Sequence, residues 1–144
     1  MAITAVLDTN IFLIVKNKEE PHYEFVKKVL DAVDNGRMQA VISVISVAEL
    51  CVGYYSAGDE KGRQELIAHL ASSKAFSVIE INLGIADAAA KIRSETGLRL
   101  PDAIIVATGL AKGATYVVTH DEELGKANRY LEVVTSQEMI KRFG

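Results

Sequence analysis

The chain has little that could tie it together covalently: among its 144 residues there is one cysteine, Cys51. That excludes an internal disulfide and makes a reducing compartment the expectation. Two prolines and 24% charged residues leave no linker or charged tract to suggest disorder, while 49% apolar residues supply a core. Tryptophan is absent, and the five tyrosines and four phenylalanines form no obvious platform for stacked bases. No uncharged apolar run approaches the roughly 18 residues of a membrane span. The first residues are interrupted by Asp8 and lack the basic start of a secretory signal. The expectation is one soluble, cytoplasmic domain over residues 1–144 with no membrane partner. A basic excess is missing too. The formal net charge is −3, so bulk charge gives no support to nucleic-acid binding through phosphate contacts.

What is present is an alternation of apolar runs and helical patterns. Ile3 to Leu7, Ala40 to Val44, Phe76 to Ile81, Thr115 to Thr119 and Leu131 to Val134 read as five strands. Between them, Pro21 suits the first turn of a helix running to about Asn35-Gly36. "SVAELCVGYY" places Val47, Leu50 and Tyr54 on one stripe, and Glu60 to Ser72 places Leu66, Ile67 and Leu70 on another. Leu83 to Thr96 is an amphipathic helix closed by Gly97. "PDAIIVATGLAKG" opens at Pro101, stops at Gly113 and is apolar nearly all round, the pattern of a buried helix. Thr135-x-x-Glu138 has capping-box spacing. Strands that are continuous apolar runs, alternating with helices, predict a three-layer α/β/α fold with a mainly parallel five-stranded sheet. Ligands in such folds bind beyond the carboxyl ends of the strands.

Four acids fall at those junctions. Asp8 follows the first strand, Glu49 lies in the first turn expected after the second, Asp102 opens the apolar helix, and Asp121 follows the fourth strand. Each has a purely structural reading. Asp8 is a good N-cap, Ser46-x-x-Glu49 has capping-box spacing, Asp102 favours a helix dipole, and Asp121 suits a turn. As a group they are harder to explain that way. Carboxylates about 5 Å apart repel by roughly 3 kcal/mol per pair at an effective dielectric near 20, and Ser or Asn would cap without that repulsion. A divalent cation offsets it, and oxygen donors without a His or Cys cluster suit Mg²⁺ or Mn²⁺. The three histidines, His22, His69 and His120, are expected to lie apart, and His120 to be structural or surface-exposed.

In order, "VLDTNIFL", "SVISVAEL", "LRLPDAIIVATGLAKG" and "YVVTHDEEL" resemble the motifs of PIN-domain ribonucleases, and the compact length is similar to the VapC-type toxins of toxin–antitoxin pairs. The resemblance runs from Ala5 to about Thr135. It implies Mg²⁺- or Mn²⁺-dependent hydrolysis of RNA, with Asp8, Glu49, Asp102 and Asp121 as the acidic quartet and Glu122 as the alternative fourth acid. Thr119 would position a ligand or water, and Asn10 would hold the loop or contact substrate. A homodimer and an antitoxin partner are implied as well. Arg93, Arg99 and Lys112, near helix ends, are candidates to guide a phosphate backbone.

Two phosphate-handling alternatives fail on specific residues. Haloacid dehalogenase-like phosphatases need a second Asp where this chain has Asn10, and phospho-receiver domains need a Lys that "VVTHDEE" does not offer. A rival of another class stays open: a catalytically silent module whose acidic pocket takes a basic partner segment or RNA.

Overall fold

The computed structural model describes residues 3–143. Its centre is a five-stranded sheet, all parallel, built from β1 (Ile3–Leu7), β2 (Met38–Ser43), β3 (Phe76–Ile79), β4 (Tyr116–Val118) and β5 (Glu132–Val134) in the order β3-β2-β1-β4-β5. Buried parallel strands need apolar side chains on both faces, and the register shows them. Val6 lies beside Val41 and Val117 and faces one core, with Ile85, Ile92, Ile105 and Val106. Ala5, Leu7, Ala40, Ile42 and Val118 face the other, with Ile11, Val26, Val29 and Met139. The helices α5 (Leu83–Thr96) and α6 (Leu100–Ala111) thus cover one face, and α1 (Thr9–Asn17), α2 (Tyr23–Asp34) and α7 (Ser136–Lys141) the other. The remaining helices, α3 (Val44–Ala57) and α4 (Glu60–Ser72), connect β2 to β3.

The expected architecture is therefore present, with shifted boundaries. Pro21 does not open a helix. It sits in a turn, with a cis bond to Glu20, and α2 begins at Tyr23. The helix after β2 starts at Val44, capped by Ser43, whose Oγ accepts the Ile45 N–H at 3.2 Å. Thr135 and Glu138 do form the capping box of α7. A 3₁₀ turn over Glu122–Ala127 follows β4. The apolar helix α6 presses so closely on β1 that a Cβ on Gly109 would stand 2.7 Å from Val6 Cγ1.

This topology fixes where a site can form. From β1 the chain moves outward through β2 to β3, then returns to the other side of β1 for β4 and β5. The strand order reverses between β1 and β4, and in parallel sheets the crevice beyond that reversal is where ligands bind. Asp8 leaves β1 and Thr119 leaves β4 at this point, joined by the Asp8 N–H donating to the Val118 carbonyl at 3.1 Å. Among the described residues no helix is long and apolar enough to cross a membrane.

Candidate active site

Asp8 is held between the two central strands. Its residue is only 5% exposed. Oδ1 accepts the Thr9 N–H at 2.8 Å and Oδ2 accepts the Thr119 hydroxyl at 2.7 Å, so both oxygens are engaged. Asp8 does occupy the N-cap position of α1, yet its bond is to the adjacent N–H, not to the second or third N–H that a helix-capping side chain usually takes. The Thr119 hydroxyl in turn accepts the Asp121 N–H at 2.9 Å and Asn10 Nδ2 at 3.4 Å. Asn10 Oδ1 accepts the His120 N–H, also at 3.4 Å. One hydroxyl and one amide thus join the exits of β1 and β4.

Asp121 caps the 3₁₀ turn, its Oδ1 accepting the Glu123 N–H at 3.0 Å. Asp102 is the third residue of α6 and 6% exposed, with Arg99 Nε 3.5 Å from Oδ2. Glu49 sits further along its helix than expected. Because α3 opens at Val44, Glu49 lies in the second turn, and the capping box read from Ser46 and Glu49 does not form. Ser46 is a fully buried residue in the first turn of α3 whose Oγ lies 2.8 Å from Thr9 Oγ1, and Thr9 Oγ1 lies 2.7 Å from Glu49 Oε1. The sequence pattern assigns Thr9 no role of its own and Ser46 only that of a cap. The available signal was the hydroxyl one residue after Asp8 and another three before Glu49.

The charges act on one another. Burial pushes the Asp8 carboxyl from the ordinary 3.8 up to about 6, the hydrogen bonds from Thr119 and Thr9 oppose this, and the charges of Asp102 and Asp121 add to it. Burial also raises Asp102, opposed by Arg99 and reinforced by Asp121 and Glu49. All four acids therefore share one electrostatic neighbourhood. The charge of Asp121, which is less exposed than its neighbour Glu122, reaches both Asp8 and Asp102.

The histidines need correcting. His22 and His120 do meet, stacked with ring centroids 3.9 Å apart. His120 Nε2 lies 2.7 Å from Ser136 Oγ, and His22 Nδ1 lies 3.0 Å from Gln137 Nε2. Burial, with His22 beside it, lowers His120 to about 4, so near pH 7 it is a neutral packing group. Of the three cations singled out, only Arg99 stands at the acids. Arg93 donates to the Leu98 carbonyl at 2.6 Å, and Lys112 lies at the other end of α6. A groove of about 530 Å³ between α3, α4 and β3 contains none of the four acids.

The fold is a parallel α/β sheet with acids near the point where its strand order reverses. The PIN domain family matches residues 5–130, and the chain belongs to that family. It is similar to a toxin–antitoxin complex from Klebsiella pneumoniae, with 27% identity, a TM-score of 0.70, and 92% of this chain and 97% of that one covered. It is also similar in fold to VapBC2 from Rickettsia felis bound to a DNA fragment from its promoter, with 21% identity, a TM-score of 0.70, and 92% and 98% covered. VapBC-1 from nontypeable Haemophilus influenzae aligns with 20% identity, a TM-score of 0.67, and 94% and 99% covered. No curated protein matches the chain by sequence.

The donor set fits a hard divalent cation in chemistry. It is all oxygen, and two of its carboxyls are raised by burial and by mutual repulsion, the condition a cation reverses. Among the described residues no three acid, imidazole or thiol groups converge on one point.

Proposed function

We propose that this protein is a metal-dependent ribonuclease, the toxin of a toxin–antitoxin pair, with Asp8, Glu49, Asp102 and Asp121 as its acidic quartet. The observation that carries the reading is Asp8: a carboxyl buried at the strand-order reversal, pushed up to about 6, with the charges of two further acids bearing on it. A fold accepts that cost where a cation is meant to sit. Asp8, with Asp102 and Asp121, would hold Mg²⁺ or Mn²⁺, and Glu49 would face it from α3. When bound, the ion supplies a water of lowered pKa and neutralises charge on the scissile phosphate.

The chain's own residues supply the positioning. Thr119 fixes Asp8 and the Asp121 loop through one oxygen, and Asn10 clips that loop to the start of α1. The His120 ring is stacked on His22 with Nε2 against Ser136 Oγ, and it is given no catalytic role. Arg99, exposed beside Asp102, is the cation placed to meet an incoming phosphate. Membership of the PIN domain family and the toxin–antitoxin complex at 27% identity support both the nuclease and the antitoxin partner.

One observation favours the second reading. Arg99 already pairs with Asp102 at 3.5 Å, so the pocket accepts a guanidinium. A silent module would use the acids to bind a basic segment only. The discriminating experiment is cleavage of a mixed RNA pool with Mg²⁺, Mn²⁺ or EDTA, wild type beside Asp8→Asn. Cleavage that needs the metal and is lost in the folded variant supports the nuclease. Cleavage equal in both removes Asp8 from the chemistry and overturns the assignment.

A further inference from the structure

Three of the four acids are immobilised by their surroundings. Asp8 and Asp102 are short side chains almost wholly buried, and Asp121 is tied to the Glu123 N–H. Glu49 is different. It has three side-chain torsions and stands on an exposed stretch of α3. A glutamate of this kind keeps most of its rotamer freedom unless something outside its own helix holds it.

The Thr9 hydroxyl is that hold. It lies 2.7 Å from Glu49 Oε1 and 2.8 Å from Ser46 Oγ. A hydroxyl has one proton and a carboxylate only accepts, so Thr9 donates to Glu49 and accepts from Ser46. Ser46 is the third residue of α3, so no carbonyl of its own helix stands four residues earlier, and its hydroxyl meets Thr9. Because Ser46 is fully buried and Thr9 is 8% exposed, water does not compete for either proton. The relay runs one way, from the interior to the carboxylate, and leaves Glu49 Oε2 without a protein donor among the described residues.

We propose that Thr9, backed by Ser46, is the positioning residue of Glu49, aiming Oε2 toward the site while Oε1 is held. This rests on the reading of Glu49 as one of the site's acids.

The test uses two readouts on the full chain: side-chain scalar couplings of Glu49 in metal-free protein, and single-turnover RNA cleavage with Mn²⁺. Wild type, Thr9→Ser, Thr9→Val and Ser46→Ala are compared, each checked for folding. One Glu49 rotamer is expected in wild type and Thr9→Ser, and an averaged one in Thr9→Val. Cleavage at saturating RNA should fall roughly 10- to 100-fold in Thr9→Val, the worth of a hydrogen bond to a charged group, with little change in KM. Thr9→Ser should recover most of it, and Ser46→Ala should fall between. A packing role for Thr9 would reverse the order, because valine keeps the volume and serine loses a methyl. If Glu49 is averaged in wild type, or as ordered and active in Thr9→Val, the proposal is overturned. Cleavage intact in Thr9→Val would sink the positioning role alone and leave the nuclease standing. An ordered Glu49 that loosens in Thr9→Val, in a protein that cleaves no RNA, would uphold the relay and sink the nuclease.

Discussion

Replacing Asp8 with asparagine should make the metal-free protein more stable near pH 7.5, although the residue is buried and doubly hydrogen-bonded. The magnitude follows from its ionisation. Unfolded, Asp8 titrates near 3.8; folded, burial and the neighbouring acids push it to about 6. Below 3.8 both states hold the proton and no penalty arises. Between the two values the unfolded chain loses its proton first, and above about 6 both are ionised and the folded state carries the whole difference. The stability conferred by the folded-state proton is thus fully present below 3.8 and lost as pH rises through about 6. The full difference is ~3 kcal/mol. Asparagine cannot ionise, but it has one acceptor oxygen where Asp8 uses two: Oδ1 can keep the Thr9 N–H, while its amide nitrogen replaces the oxygen that accepts the Thr119 hydroxyl. The lost charge-assisted bond gives back ~2 kcal/mol. The net gain is ~1 kcal/mol, a rise in Tm on the order of 3 °C for a chain of this size.

Urea denaturation and calorimetry in EDTA would measure it, wild type beside Asp8→Asn, near pH 7.5 and near pH 4. The variant's advantage should be clear at the higher pH and mostly gone at the lower. Adding Mn²⁺ near pH 7.5 should stabilise wild type and do much less for the variant, since a ligand that binds only the folded state adds its binding energy. An Asp8→Asn protein less stable than wild type near pH 7.5, or an advantage equal at both pH values, would refute the claim that burial of charge at Asp8 works against the fold.

Three other consequences are as direct. Gly109→Ala should cost ~2 kcal/mol in urea denaturation, because the new methyl would stand 2.7 Å from Val6 Cγ1 and 2.9 Å from Leu131 Cδ1, both in a packed core; an unchanged midpoint would mean α6 can lift off β1. Thr119→Val removes the donor to Asp8 and the acceptor of the Asp121 N–H. It should cut single-turnover cleavage roughly 10- to 100-fold and push the Asp8 carboxyl higher still, which NMR titration without metal would register. Arg99→Gln takes away the cation that opposes the rise of Asp102. The guanidinium is largely exposed, so the pair is a weak surface contact, and Mn²⁺ binding near pH 8 should tighten only a few-fold by calorimetry.

The sheet was legible in the sequence because parallel strands buried on both faces must be apolar at successive positions. Val41 and Ile42, which face opposite cores, carry that signature. Asp8, Glu49 and Asp121 were placed by the same pattern, relative to strand ends, whereas Asp102 was placed by the start of the apolar helix α6, which follows α5 and not a strand. What failed was local. Ser43 and Ser46 both precede helical residues, and spacing alone cannot say which one caps. Choosing Ser46 moved Glu49 into the first turn and hid the relay through Thr9, a contact between residues of two helices that no periodicity encodes. The His22–His120 stack was invisible for the same reason, being made by the entry to α2 meeting the exit of β4. Arg93 could not be set apart from Arg99 until its guanidinium was seen to close on Leu98.

If the pocket is the proposed metal site, its acids give one reason why a metal ion and a guanidinium would compete for it. Burial and mutual repulsion raise Asp8 and Asp102, so the empty site destabilises the fold, and any cation that enters relieves the same strain of charge. A hard metal ion does so while leaving room for water and phosphate. A guanidinium does so by hydrogen bonding, as Arg99 does from the rim at 3.5 Å, but brings no water to activate. If both relieve the same charge, binding energy gained by one is denied to the other. A partner segment carrying an arginine would then inhibit the site without covering it, by removing the need for the metal. Its affinity should fall as Mn²⁺ rises, and by linkage the Mn²⁺ affinity should fall by the same factor when the segment is bound.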